Sequence, residues 1–281
     1  MTNWEEYCLK HSDAVMHRYK EMMGYAFDIN NPETLAEKIQ WLKIHDSTML
    51  KTVCSDKYLV RSYCKQVLGN DYFVPLLGVY DSFDQIPFKT LPAQYVIKTN
   101  HGSHTNIIVN NGQVDLNQIR RKLTEWLSND WTWWGFEFPY MLIDRKIIIE
   151  PFIGSTNKAL TDYKIACFNG IPKYCQVMNG RRSSSFHANY YDMNFIPQPN
   201  IARLDIPADY TNIDVKPHNW NQMKTIASKL AAQFKLVRVD FYEVDDVLYL
   251  GELTFFPAAG YLKYRDPNTN KHFGSLLTLH N

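Results

Sequence analysis

An α+β fold follows from three features of this 281-residue chain. Residues 236–260, LVRVDFYEVDDVLYLGELTFFPAAG, hold two alternating runs joined by Asp245-Asp246, which is the pattern of a hairpin with two unlike faces. Residues 162–178 repeat that pattern around Asn169-Gly170, a dipeptide suited to a tight turn. Helical periodicity occupies separate stretches at 31–42, 116–127 and 220–234.

Composition narrows the function. Hydrophobic residues make up 45% and charged residues 21%, enough for real cores with an ordinary soluble surface. A net charge of +1 gives no electrostatic case for bulk nucleic-acid binding. No apolar run approaches the roughly 20 residues that span a bilayer. The N-terminal MTNWEEYCLKH is not a signal peptide, so a cytoplasmic protein is expected. The five cysteines show neither CxxC nor zinc spacing and read as reduced, mostly buried thiols.

In chain order, residues 1–51 read as helical, with Asn31 as a cap and Pro32 at the first helical position ahead of the stripe Leu35, Ile39 and Leu42. A further helix is expected from Asp56, carrying Tyr58, Leu59, Tyr63 and Val67. Lys57 in its first turn opposes the helix dipole, which suggests an anionic partner there, although taken by itself it reads as a solvated lysine. Residues 72–80 read as an edge strand because of Pro75. Strands at 94–98 and 107–109 flank the loop TNHGSHTN, whose amides and hydroxyls suit phosphate oxygens, with Lys98 at its base. His101 and His104 lack a further ligand at metal spacing. The aromatic cluster Trp131, Trp133, Trp134 and Phe136 suits either packing or sugar stacking.

Residues 146–153, KIIIEPFI, read as a buried strand containing Glu150, and Pro151 leaves backbone groups through Ile153 that suit an adenine edge. In the strand at 162–168, Asp162 and Lys164 share a face. Arg181, Arg182 and Ser183 to Ser185, followed by His187, Asn189 and Tyr190, form a basic loop suited to an acidic substrate or a triphosphate, or simply a surface loop. Residues 196–216 show no regular period. In the last hairpin, antiparallel pairing would bring Asp240 to Glu252 with Arg238 beside them. Two adjacent carboxylates call for a cation, and Mg²⁺ suits a site that keeps positions for phosphate and water. Small residues at Pro257-Ala258-Ala259-Gly260 suit a close backbone approach to a ligand.

Taken together, Asp56-Lys57, VIKTNHGSH, IIIEPFIG, DYKIACFNG and the 236–260 stretch occur in the order found in ATP-grasp proteins. The set most resembles the TupA-like ATP-grasp branch, found among bacterial surface-polysaccharide genes. The likeness covers residues 30–280. It implies a helical segment at 1–70, a small subdomain at 71–153 and a C-terminal subdomain with the metal site at 154–281, with ATP between the last two. It further implies phosphate contacts from Lys57, Lys98, His101, Gly102 and Ser103, and adenine contacts from Glu150, Phe152 and Ile153. Asp162 would meet the ribose and Lys164 the terminal phosphate, the latter as a catalytic group with Arg238. Mg²⁺ would sit on Asp240, Glu252 and Thr254. Family ligases commonly have Asn where this chain has Thr254, which leaves one or two Mg²⁺ open.

Such a site supports ATP-dependent joining of a carboxylate to an amine through an acyl phosphate, with no protein nucleophile required. The polysaccharide association suggests a uronic acid and an amino acid as substrates, with Lys173, Arg181 and Arg182 as candidate carboxylate binders. The alternatives are a metal-dependent glycosyltransferase using a sugar nucleotide, or a nucleotide-binding protein without turnover.

Overall fold

A computed structural model describes residues 2–110, 115–154, 160–181, 183–211 and 213–280. The N-terminal part is helical: α1 (Asn3–Lys10), α2 (Ser12–Met23), α3 (Leu35–His45), α4 (Met49–Ser55) and α5 (Val60–Leu68). Next come β1 (Gly78–Tyr80), β2 (Tyr95–Thr99), β3 (Asn106–Val109), α6 (Leu116–Ser128), α7 (Thr132–Gly135) and β4 (Ile147–Pro151). The remainder holds β5 (Asp162–Phe168), β6 (Ile171–Asn179), β7 (His187–Asp192), α8 (Trp220–Ala231), β8 (Leu236–Val244), β9 (Val247–Thr254) and α9 (Asn268–Ser275).

Two antiparallel sheets result, a four-stranded one in the order β1-β4-β2-β3 and a five-stranded one in the order β7-β6-β5-β8-β9. The expected hairpins are both present. Asn169 and Gly170 have φ of 47° and 80°, and Asp245 and Asp246 have 49° and 62°. Positive φ at both central residues matches the twist of the flanking strands. The larger core joins β5, β6, β8 and β9 to α8 and also takes in Ile39, Leu42, Cys54, Val60 and Cys64 from α3, α4 and α5. A smaller core lies between the four-stranded sheet and α6, around Ile97, Leu123 and Ile147. All five cysteines are free and buried. No described helix is long and apolar enough to cross a membrane.

Four boundaries differ from the sequence expectation. Helix α3 is capped by Thr34 rather than Asn31: its hydroxyl accepts from the Glu37 amide, and the Glu37 side chain reaches back in a capping box. Helix α5 starts at Val60, because the buried Asp56 carboxylate accepts the amides of Tyr58 (2.7 Å) and Leu59 (3.3 Å) in a turn that precedes it. Only residues 78–80 of the expected 72–80 strand pair as one. Its two ends serve different sheets, since the Tyr72 carbonyl accepts from Leu250 on β9 while the Leu77 amide donates to Ile149 on β4. Finally, His187, Asn189 and Tyr190 lie on strand β7 rather than in a loop. That strand is buried on both faces, so the alternation that marks a half-exposed strand is missing.

Candidate active site

Strand alternation places Arg238 and Asp240 on one face of β8. The register then sets Asp240 opposite both Lys164 on β5 and Glu252 on β9, and Arg238 opposite Thr254. A bulge at Asp240/Phe241 leaves Gly251 unpaired, where a side chain would meet the Tyr242 ring at 2.9 Å.

Ion pairs follow from this register. Arg238 clasps Asp240 through Nε–Oδ1 (2.6 Å) and Nη2–Oδ2 (2.7 Å), and Nη2 also donates to Thr254 Oγ1 at 3.0 Å. Lys164 donates to the other side of Asp240 Oδ2 and lies 3.5 Å from Asp162 Oδ1. Arg181 Nε donates to Asp162 Oδ2 at 2.5 Å. Past Arg238, Glu252 lies 3.5 Å from Nη2 and 4.0 Å from Lys57 Nζ. A row of alternating charge therefore runs along one sheet face, Asp162, Lys164, Asp240, Arg238 and Glu252, and is extended at its ends by Arg181 after β6 and Lys57 before α5. Burial alone would raise the Asp240 carboxyl, but Arg238 and Lys164 hold it below the usual range. Burial likewise opposes charge on Lys57, against the attraction of Glu252.

The four-stranded sheet faces this row through its β2–β3 loop. Lys57 Nζ donates to the Gly102 carbonyl at 2.6 Å, and its amide donates to the Asn100 carbonyl at 2.9 Å. Gly102 has φ of 73°, and a Cβ there would lie 2.3 Å from the Trp131 indole nitrogen, so only glycine fits. Beside the loop, Glu150 bridges Lys98 (2.5 Å) and Arg61.

The sequence-derived residues thus fall into groups. Lys57, Asp162, Lys164, Arg181, Arg238, Asp240, Glu252 and Thr254 are brought together. Lys98 and Glu150 form the second cluster, and Gly102 and Ser103 lie on the loop between. Some expectations need revision. The Glu150 carboxylate is held by two cations rather than presented to an adenine edge, and the Phe152 amide donates to the Gln94 carbonyl at 3.4 Å, leaving Ile153 as the neighbouring backbone. His101 is only 1% exposed, and burial pushes its pKa down to about 4, so its neutral ring is a packing group under the loop. Among the described residues no trio of His, Cys, Asp or Glu is placed to hold a metal, so His101 and His104 gain no further ligand from the fold. Asp162 is spanned by Lys164 and Arg181. Lys173 is the extra residue of the bulge between β5 and β6, about 10 Å along the strand from Gln176, which pairs with Lys164. Arg182 lies outside the described residues. In the aromatic cluster, Trp133 packs on His11 and Phe136, and Trp134 on Tyr261.

Asp240 and Glu252 face each other in register and are the carboxylates that could hold Mg²⁺, with both Asp240 oxygens engaged by Arg238 and Lys164. This ion takes one or two carboxylates and leaves its remaining positions to phosphate and water, and Glu252 is the more open of the two at 38% exposure. The Thr254 hydroxyl is engaged by Arg238.

Other residues escaped the sequence argument. Lys43 on α3 is fully buried and donates to Gln40 Oε1 and to the Ala259 carbonyl, both at 2.7 Å, with its ammonium 4.6 Å over the Tyr261 ring. Burial lowers its pKa to about 7 against the pull of Glu137, whose own carboxyl burial raises to about 7. Lys43 thereby secures Ala258 and Ala259, whose φ of 49° and 51° cost about 1–2 kcal/mol each for an L-residue. Glu137 and Tyr140 lie within electrostatic reach of Glu252 and Arg238. The available signal was a polar stripe, Glu37, Gln40 and Lys43, at helical spacing beside the apolar one. Ala258 and Gly260 also wall a cavity of about 90 Å³ between α3 and the five-stranded sheet, into which Lys164, Arg238 and Arg203 project.

Residues 37–278 match the model of a family described as TupA-like ATPgrasp. No curated protein matches the sequence. Among solved structures, D-alanine–D-alanine ligase from Helicobacter pylori is similar at 16% identity and a TM-score of 0.50, over 88% of this chain and 69% of that one. The ligase of the same name from Bacillus anthracis, solved with ATP, gives 14% identity and a TM-score of 0.44, over 72% of this chain. L-amino acid ligase from Bacillus licheniformis gives 15% and 0.44, over 76% of this chain. The chain spans 55% of the B. anthracis protein and 43% of the B. licheniformis one. At these identities the likeness to the H. pylori structure shows a shared fold.

Proposed function

Because the chain belongs to the TupA-like ATP-grasp family, we propose that it is an ATP-dependent carboxylate–amine ligase. In this proposal it works in the cytoplasm with Mg²⁺ on surface-polysaccharide precursors, joining an amino acid to a uronic acid carboxyl. The observation that carries the proposal is the alternating row centred on Arg238, Asp240 and Glu252, joined through Lys57 to the β2–β3 loop. ATP would lie between the two sheets, dividing the chain near residues 70 and 153.

A carboxylate is a poor acyl acceptor because its leaving group would be oxide. Transfer of the γ-phosphoryl group to it gives an acyl phosphate and ADP; the amine then adds to the carbonyl, phosphate leaves and the nitrogen loses a proton. Lys57, Lys98 and the amides of Gly102 and Ser103 would bind phosphate oxygens, while the backbone near Phe152 and Ile153 would receive adenine. Lys164 would meet the transferring phosphoryl group, and Arg238 the oxyanion that forms at the acyl carbon. Asp240 and Glu252 would hold Mg²⁺, which neutralises phosphate charge when bound. Asp162 is the candidate for the ribose hydroxyls, with Arg181 holding it in place.

The test is release of ADP and phosphate from ATP, Mg²⁺, a uronic acid and an amino acid, together with melting shifts. Glu252→Ala should lower kcat/KM by about 100-fold or more and weaken only the Mg²⁺-dependent stabilisation by ATP. Stabilisation by UDP- or GDP-sugars with none by ATP would mean a glycosyltransferase instead.

A further inference from the structure

The cavity under Arg238 has a one-sided charge. Lys164, Arg203 and Arg238 line it, and among the described residues of its wall there is no carboxylate. Two of these cations are discharged from behind by Asp240, which is not part of the wall. Arg203 is discharged from outside: its Nε donates to Asp205 Oδ1 at 2.8 Å, and Asp205 is 59% exposed. That pairing uses the Nε/Nη2 edge of the guanidinium and leaves the Nη1/Nη2 edge, a fork that matches a second carboxylate.

Arg203 is also held firmly. It pairs with Tyr264 in an isolated antiparallel bridge, flanked by the Leu204 amide to the Lys263 carbonyl (3.0 Å) and the Arg265 amide to the Ala202 carbonyl (2.8 Å). The Tyr190 hydroxyl, which accepts from Gln176 at 3.0 Å, lies within the field of both Arg203 and Arg238. Both guanidinium groups therefore border one small cavity, one from β8 and one from the irregular segment bridged to Tyr264. A bare ammonium, or a neutral molecule, gains nothing from such a wall. A molecule with an anionic group away from its reacting end would be bound at both ends.

We infer that Arg203 is the specificity-determining residue of this cavity, and that the molecule bound there carries a carboxylate remote from its reacting atom. The inference rests on the ligase proposal only for the identity of the reacting end, which Arg238 receives. The remote carboxylate belongs either to the acyl donor or to the amine.

Calorimetric titration separates these sources. Glutarate is compared with butyrate for the acyl donor, and L-alanine with ethylamine for the amine, on wild type and Arg203→Gln. The expected result is that glutarate or L-alanine binds wild type about tenfold or more tightly than its counterpart, and that Arg203→Gln abolishes the difference. Equal binding within both pairs, or a preference that survives Arg203→Gln, overturns the inference. Should Arg203→Gln not fold, Asp205→Asn reads the same question with opposite sign. Removing this neutralising carboxylate from the far edge of Arg203 should tighten the preferred probe several-fold, and an unchanged or weaker affinity overturns the inference. A non-hydrolysable ATP analogue with Mg²⁺ is titrated in parallel. Its failure to bind would sink the ligase proposal while leaving the carboxylate comparison readable.

Discussion

Gly102 shows how one residue can couple the two halves of the site. Its positive φ and the Trp131 indole behind it leave no room for a side chain, and its carbonyl receives the Lys57 ammonium. Gly102→Ala should push the loop outward, break the Lys57 contact and raise KM for ATP about tenfold, while stability falls by about 1–3 kcal/mol. Initial rates against ATP, paired with denaturant melts, check this; an unchanged KM would mean that the loop takes no part in nucleotide binding. At this scale the sequence was most legible where period two governs. Asp162, Lys164, Arg238, Asp240 and Glu252 sit on strands whose charged and apolar residues alternate, so facing neighbours follow from register alone. Arg203 was not legible, since an arginine in an irregular segment carries no local mark of the cavity it lines, and Lys43 showed only as part of a polar stripe on α3.

At the scale of elements, α5 is a strut between the sheets. Val60 and Cys64 lie in the core of the five-stranded sheet, while Arg61 on the same helix pairs with Glu150 of β4 in the other sheet and lies 5.0 Å from the Phe73 ring. Arg61→Met should therefore cost about 3 kcal/mol, the lower end for a broken buried pair because Lys98 still reaches Glu150. Urea unfolding measures it, and a loss under 1 kcal/mol would mean that the strut is dispensable. The hairpins and the helices α6 and α8 were readable because short-range turns and periodicity set them. The 72–77 crossing and strand β7 were not. Each is shaped by two distant partners, and a strand covered on both faces has no alternation to read.

Across the whole molecule, the irregular stretch before α8 is tied to β7 by a buried charge. His187 Nδ1 lies 2.9 Å from the Ser185 carbonyl and Nε2 3.0 Å from Asp214 Oδ1, so both nitrogens face acceptors and both must donate. Asn189 and Tyr191 also donate to Asp214, at 2.9 and 3.0 Å. Burial pulls the His187 pKa down, but the Ser185 carbonyl and Asp214 outweigh it and leave it raised. A raised folded-state value adds stability that is full below the unfolded value of about 6.5 and is lost as pH climbs through the folded one. The stability gap between wild type and His187→Asn should therefore be widest near pH 6 and shrink on going alkaline. A gap that widens with pH would contradict this assignment. Asp240 sits between Arg238 and Lys164, and Asp162 between Lys164 and Arg181, so each interior charge is tolerable only with neighbours of opposite sign. Such a row is epistatic by construction: losing one member leaves an unbalanced charge beside its neighbours, losing an adjacent pair of opposite sign leaves the net charge of the row unchanged, and viable routes to other sequences run through paired steps.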